Sequence, residues 1–177
     1  AVTGEHREAL DLLGKALEVA LEHKLLLEHA RIYRIMGKVH FYRGQIEACL
    51  EANNLSLEFA RAAGSVEVEA QALSGLANAE YNRGRFLSAQ DYFDQCIELA
   101  RAHALGRIIA ANLSMRSYVS CWQGSIESAI AGYREAAQQA EQINDPRAQM
   151  MALMIGGSFW ALVGDFEEGE KWLKKSM

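Results

Sequence analysis

Glycines recur along this chain at a fixed interval of 40 residues. They are Gly4, Gly44, Gly84, Gly124 and Gly164. A fixed interval of this length is typical of repeat architectures, in which each unit buries its apolar face only by stacking on its neighbours. The 177 residues therefore predict about four and a half copies of one small unit.

Small side chains keep register with these glycines. Five residues after each glycine come Ala9, Cys49, Ala89, Ala129 and Gly169, and sixteen residues after come Ala20, Ala60, Ala100 and Ala140. Small residues at fixed positions mark places where two helices approach closely, since a larger side chain would push the backbones apart.

Apolar residues between the glycines follow a helical period of three and four, as Leu73, Leu76 and Ala77 show ahead of Gly84. Each repeat is therefore predicted to be two helices with the glycine in the turn, because glycine takes positive φ at a helix end without a Cβ clash. The predicted helices span residues 5–23, 26–43, 45–63, 66–83, 85–103, 106–123, 125–143, 146–163 and 165–176. We expect an all-α fold, a right-handed α-solenoid of about nine antiparallel helices.

The second turn of each repeat carries a weaker signal. Gly64 and Leu105-Gly106 are plausible breaks, and Asp145 before Pro146 is typical of a helix start with an N-cap. Around Lys24 no breaker is present, and the turn is placed there from the period alone. The helices are expected to form one repeat domain over residues 1–177.

The repeat resembles the tetratricopeptide repeat (TPR) family. The positions that match its small or glycine, aromatic and small marks are Met36-Gly37, Leu76-Ala77, Gly156-Gly157, Cys49, Ala89, Ala129, Phe93, Tyr133, Ser56, Cys96 and Ala136. Asn53 replaces the aromatic in one repeat, and the period is longer than the usual 34 residues. This longer form resembles arrays in bacterial multidomain regulators that carry an ATPase, nucleotide-cyclase or DNA-binding domain.

Composition excludes several classes of protein. A net charge of -5 argues against non-specific nucleic-acid binding, and the longest uncharged run, residues 150–163, is too short for a membrane span. Three scattered cysteines favour a reducing compartment, so we expect a cytoplasmic protein. The chain begins with Ala1 and no readable leader, which favours a fragment of a larger protein.

No catalytic, metal or cofactor site is predicted. The five histidines lack the spacing of a helical metal site, and Cys49 and Cys96 fall on packing positions, which leaves Cys121 as the one expected near a surface. Gly156-Gly157-Ser158 is interpreted as a helix-packing notch rather than a phosphate loop, because no strand precedes it.

The family resemblance implies that the first helix of each hairpin lines a concave groove. The candidate groove residues are Arg31, Arg34, Lys38, Tyr42, Asn78, Tyr81, Asn82, Tyr118 and Trp122. In the family, asparagine and basic residues at such places hold a partner's carboxylate, and Arg34, Lys38 and Asn78 match that pattern in part.

Two interpretations of the basic residues stay open. Arg31, Arg34 and Lys38 share one helix face and suit an acidic peptide, yet they also fit a solvated face balanced by Glu28 and Glu47. Tyr118 and Trp122 are candidate anchors, because aromatic residues dominate interface hot spots.

We expect a non-enzymatic protein- or peptide-binding module that acts as a scaffold or regulatory arm. The alternative is a signal-sensing array that binds a small effector or an attached ATPase, cyclase or DNA-binding domain. Self-association through uncapped ends of the solenoid is also expected.

Overall fold

The computed structural model describes the backbone of residues 2–176 and the side chains of residues 6–176. Within these residues every regular element is an α-helix. The helices are α1 Val2–Glu22, α2 Leu26–Tyr42, α3 Ile46–Ala62, α4 Val66–Asn82, α5 Phe86–Ala102, α6 Gly106–Trp122, α7 Ile126–Gln142, α8 Pro146–Leu162 and α9 Phe166–Ser176. From α2 onward, the predicted boundaries agree with the observed ones to within one residue.

Every connection between consecutive helices is three residues long and is built in the same way. The middle residue has positive φ in each case; these residues are Lys24, Gly44, Gly64, Gly84, Ala104, Gly124, Asn144 and Gly164. The next residue donates its N–H to the carbonyl five residues earlier, as Gln45 does to His40 at 2.9 Å. This is the Schellman arrangement that closes helix C-termini. The geometric period is therefore 20 residues, half the interval that the glycines show.

Gly4 corrects one predicted turn. It lies within α1, which begins at Val2, and not in a turn. A turn glycine closes the helix before it, and no helix precedes α1 in the described residues. An α-helix accepts glycine at a cost of about 1 kcal/mol relative to alanine, so Gly4 can continue the helix.

The predicted close-packing positions are confirmed. Ala60, Ala100 and Ala140 are fully buried, and Cys49 is 1% exposed. The notch in α8 is also a packing feature: a Cβ at Gly156 would lie 2.6 Å from the Trp172 ring. Small residues thus let neighbouring helices approach at these points.

The described residues pack as two compact units, Ala1–Gln95 and Cys96–Met177, divided within α5. In the first unit α2 packs on α3 and on α4, and Cys49, Leu50 and Leu76 belong to its core. In the second unit α6 packs on α7 and α8 on α9, with Tyr133 and Phe159 in the core. No helix in the described part of the chain is long and apolar enough to cross a membrane.

The helix start at Pro146 is built as predicted. Asp145 is the N-cap, and its side chain accepts a hydrogen bond from the Ala148 N–H at 3.1 Å. Proline at the first helical position has no N–H to leave unpaired.

Candidate functional site

A cleft of about 330 Å³ lies in the first unit, where α2 and α4 pack side by side with α3 behind them. Its lining residues are Arg34, Gly37, Lys38, Phe41 and Tyr42 from α2, Cys49 and Asn53 from α3, and Gln71, Ser74, Gly75 and Asn78 from α4. Four of the predicted groove residues, Arg34, Lys38, Tyr42 and Asn78, are therefore brought together in one place.

Arg34 is the half-buried cation of the cleft. Its Nε is buried and has no hydrogen-bond partner among the described residues. Burial lowers the pKa of its guanidinium, Glu67 on α4 opposes that shift, and Arg31 reinforces it. A buried donor without an acceptor is energetically unfavourable, so this position favours a ligand that supplies an acceptor.

Lys38 and Tyr42 lie one turn apart at the exposed rim of the cleft. The Lys38 Nζ lies 5.9 Å from the centre of the Tyr42 ring, within the range of a cation–π contact. Tyr42 itself is 65% exposed. The rim therefore presents a positive charge and an accessible aromatic surface together.

The remaining predicted basic residue is already neutralised. Arg31 pairs with Glu28 on its own helix at 3.1 Å, and Glu47 pairs with Arg83 at 3.4 Å. The balanced-face interpretation thus describes Arg31, whereas Arg34 has no ion-pair partner within 4.0 Å among the described residues. Two cations of the predicted three remain for a ligand.

Asparagines of α4 bond back to their own helix. The Asn78 Nδ2 donates to the Ser74 carbonyl at 2.7 Å, and the Asn82 Nδ2 donates to the Asn78 carbonyl at 2.9 Å. Asn82 is exposed and does not line the cleft. Tyr81 packs its ring 5.8 Å from that of Phe86 and also lies outside the lining.

Tyr118 and Trp122 belong to the second unit. Their rings meet edge to face with centres 6.1 Å apart, Trp122 is 57% exposed, and Tyr118 packs against the core of that unit. Neither residue lines the cleft of the first unit. Their role as binding anchors stays a prediction.

Sequence reasoning missed the floor of the cleft. Asn53 is only 2% exposed, and its Nδ2 donates to the Cys49 carbonyl at 2.8 Å. Gly37 and Gly75 flank it, and a Cβ at Gly37 would lie 2.5 Å from the Asn53 Nδ2. The available signal was the 40-residue register, in which Asn53 takes the place that Phe93 occupies in the next repeat.

Thiol and metal chemistry receive no support from the cleft. Burial raises the pKa of the Cys49 thiol, which opposes formation of the reactive thiolate. Cys49 and Cys96 are buried and Cys121 is partly exposed, as the packing pattern predicted. Among the described residues, no three His, Cys, Asp or Glu side chains form a group that could hold a metal ion.

Comparison with solved structures establishes the fold. The chain is similar over 98% of its length to a kinesin light chain of Podosopora anserina described by its TPR-like repeats, at 12% identity and a TM-score of 0.74, covering 86% of that chain. The fold is TPR-like. The expected all-α solenoid of helix hairpins is thereby confirmed.

Two further structures share the TPR-like fold. Aspartyl phosphate phosphatase F from Bacillus subtilis matches 99% of this chain at 16% identity and a TM-score of 0.86, and this chain spans about half, 47%, of its length. A Rap protein complexed with competence and sporulation factor matches 85% of this chain at 14% identity and a TM-score of 0.78, with 42% of that protein covered. No protein-family model and no curated protein sequence matches the chain.

Proposed function

We propose that this chain is a protein-interaction module that binds an acidic segment of another protein in the cleft between α2 and α4. The observation that carries the proposal is the pair of cations on α2, Arg34 and Lys38, which face the cleft without an acidic partner within 4.0 Å. The chain as a whole carries a net charge of -5. This local contrast selects for carboxylates at the cleft and against them elsewhere.

The chemistry of the lining suits a carboxylate. Its oxygens accept hydrogen bonds from the Arg34 guanidinium and the Lys38 ammonium, and charge-assisted bonds of this kind are stronger than neutral ones. Asn78 keeps its second amide hydrogen for a further bond, because only one is used by Ser74. Phe41 and Tyr42 add apolar contact area beside the charges.

The TPR-like fold supports this assignment of role. The family resemblance implies carboxylate recognition by asparagine and basic residues, and one similar structure is a Rap protein complexed with competence and sporulation factor. Repeat proteins bind by displaying side chains on a preformed surface, so a few anchors supply specificity. We place this module as a scaffold or regulatory arm on that basis.

Peptide selection followed by calorimetry tests the proposal. Random peptides displayed on phage are selected on the 177-residue chain, and the enriched peptides are titrated into the protein. We expect enrichment of Asp and Glu, and at least about a tenfold loss of affinity for Arg34→Ala with Lys38→Ala, since each charge-assisted bond contributes about 1.5–3 kcal/mol.

The matched control removes the same charges from α1. Arg7→Ala with Lys15→Ala deletes one arginine and one lysine that are exposed and far along the sequence from α2. We expect this variant to bind within about twofold of the unmodified chain, because screened surface charges contribute little. Equal losses in both double variants, or selected peptides without an acidic bias, contradict the proposal.

The sensing hypothesis places the same cleft in a longer regulator. It is favoured by the similarity to aspartyl phosphate phosphatase F, of which this chain matches 47%. Its test uses the longer protein: a selected peptide is expected to change the activity of the attached ATPase, cyclase or DNA-binding domain. An unchanged activity at saturating peptide refutes sensing and leaves binding intact.

A further inference from the structure

The cleft exists because the repeat pattern is interrupted at two positions that meet. In the 40-residue register, the place of Asn53 is filled by Phe93 and Tyr133, which are 0% and 1% exposed. The place of Gly75 is filled in other repeats by Ile35, Met115 and Ile155. Here a large aromatic and a large aliphatic side chain are both missing. Filling this space would have given ordinary apolar packing, as in the neighbouring repeats.

The amide of Asn53 has a fixed orientation at the floor of the cleft. Its Nδ2 donates to the Cys49 carbonyl at 2.8 Å and lies 3.4 Å from the Cys49 Sγ. Its Oδ1 is the atom that a Cβ at Gly75 would meet first. The Oδ1 accepts no hydrogen bond from any described residue. The floor therefore offers an acceptor on the α4 side.

The wall of the cleft offers a donor. Arg34 precedes Gly37 by one turn of α2, so the two residues share a face and the Arg34 guanidinium lies beside the opening over Asn53. The Arg34 Nε–H is buried and has no acceptor. An acceptor at the floor and a donor at the wall line the same small space, and neither is satisfied within the described residues.

We propose that this space is a specificity pocket for a carboxamide side chain, Asn or Gln, of the bound segment. A carboxamide donates to the Asn53 Oδ1 and accepts from Arg34, so both groups gain a partner. A carboxylate satisfies Arg34 alone and meets the Asn53 Oδ1 with a like partial charge, and an aliphatic side chain satisfies neither. This inference rests on the proposed function, because the pocket is read by the same segment whose acidic residues bind Arg34 and Lys38.

The experiment compares two forms of one selected peptide. The first carries Gln at its enriched amide position and the second carries Leu there, with the acidic residues unchanged. For the unmodified protein, we expect the Gln form to bind about tenfold more tightly, as burial of unpaired polar groups by Leu is unfavourable. For Asn53→Leu, whose side chain is apolar, we expect the two forms to bind within about threefold of each other.

Two further variants keep the test decisive. Asn112→Leu is the matched control, since Asn112 is also a buried asparagine that bonds to the carbonyl four residues earlier and it does not line the cleft. It is expected to keep the tenfold preference. Gly75→Ala, which places a methyl group against the Asn53 Oδ1, serves if Asn53→Leu does not fold, and it too is expected to remove the preference.

The outcomes separate the two proposals. Selected peptides that are acidic but show no preference for Asn or Gln at any position, or a preference that survives Asn53→Leu, overturn the carboxamide pocket and leave acidic recognition standing. Enrichment of Ser or Thr at that position also overturns it. Peptides with a fixed amide and no acidic bias overturn the proposed function while the pocket stands.

Discussion

Replacing the turn residue Ala104 with glycine is expected to stabilise the protein. Ala104 has φ of 54° in the turn between α5 and α6, a conformation that costs an L-residue about 1–2 kcal/mol. Glycine removes that strain, and its greater freedom in the unfolded chain returns about 0.5–1 kcal/mol. Ala104 is exposed, so loss of its methyl group uncovers no core. The net expected gain is about 0.5–1 kcal/mol in the free energy of unfolding.

The measurement is thermal and urea unfolding followed by circular dichroism. For a chain of this size, about 1 kcal/mol shifts the midpoint by roughly 2–4 °C, so Ala104→Gly is expected to raise it by about 1–4 °C. The matched reverse change is Gly124→Ala in the same unit. Gly124 has φ of 79° and a Cβ there would meet nothing within 4 Å, so the methyl group adds strain without a clash.

Opposite signs for the two substitutions are the required result. Gly124→Ala is expected to lower the free energy of unfolding by about 0.5–1 kcal/mol. A lower midpoint for Ala104→Gly, or an unchanged midpoint for Gly124→Ala, refutes the conclusion that positive φ at the middle residue defines every turn. Asn144→Gly should gain less than Ala104→Gly, because asparagine tolerates the left-handed region better than alanine does.

Three further predictions concern packing, thiol reactivity and association. Gly169→Ala should destabilise by about 1–3 kcal/mol in the same unfolding assay, since its Cβ would lie 3.0 Å from the Gly157 carbonyl oxygen, whereas Gly14→Ala in α1, with open space, should stabilise by about 0.5–1 kcal/mol; equal effects contradict the close approach of α8 and α9. Burial raises the pKa of the Cys121 thiol, so its alkylation in the native protein should keep accelerating above about pH 8.5, and a rate that levels off below that pH counts against this shift. Leu162, 70% exposed, is expected to contribute to self-association, so sedimentation velocity should show a concentration-dependent dimer that Leu162→Glu abolishes, and a monomer at all concentrations refutes it.

The helices were predictable because their signal is local and repeated. Apolar spacing and the glycines set eight of the nine described helices to within one residue at both ends. The turn residues Lys24 and Ala104 carried no such signal, since the left-handed conformation there is imposed by the packing of the helices it joins rather than by the residue. The 20-residue geometric period is for that reason visible in the backbone and only half visible in the sequence.

The cleft was predictable in part. Position relative to the turn glycine found Arg34, Lys38 and Asn78, because one helix face is set by the helical period. Sequence alone left open which cation Glu28 neutralises, and the structure assigns it to Arg31. The floor at Asn53 required knowledge of contacts between α2, α3 and α4.

The most direct test of acidic-segment binding in the cleft is a side-chain amide and guanidinium NMR titration with a selected acidic peptide. The account predicts shifts of the Arg34 Nε–H signal and of the Asn53 and Asn78 amide signals, because these groups line the cleft and gain new partners. The indole signal of Trp122, which does not line it, should stay in place. A shift of the Trp122 signal with unchanged Arg34, Asn53 and Asn78 signals would contradict the assignment of the site.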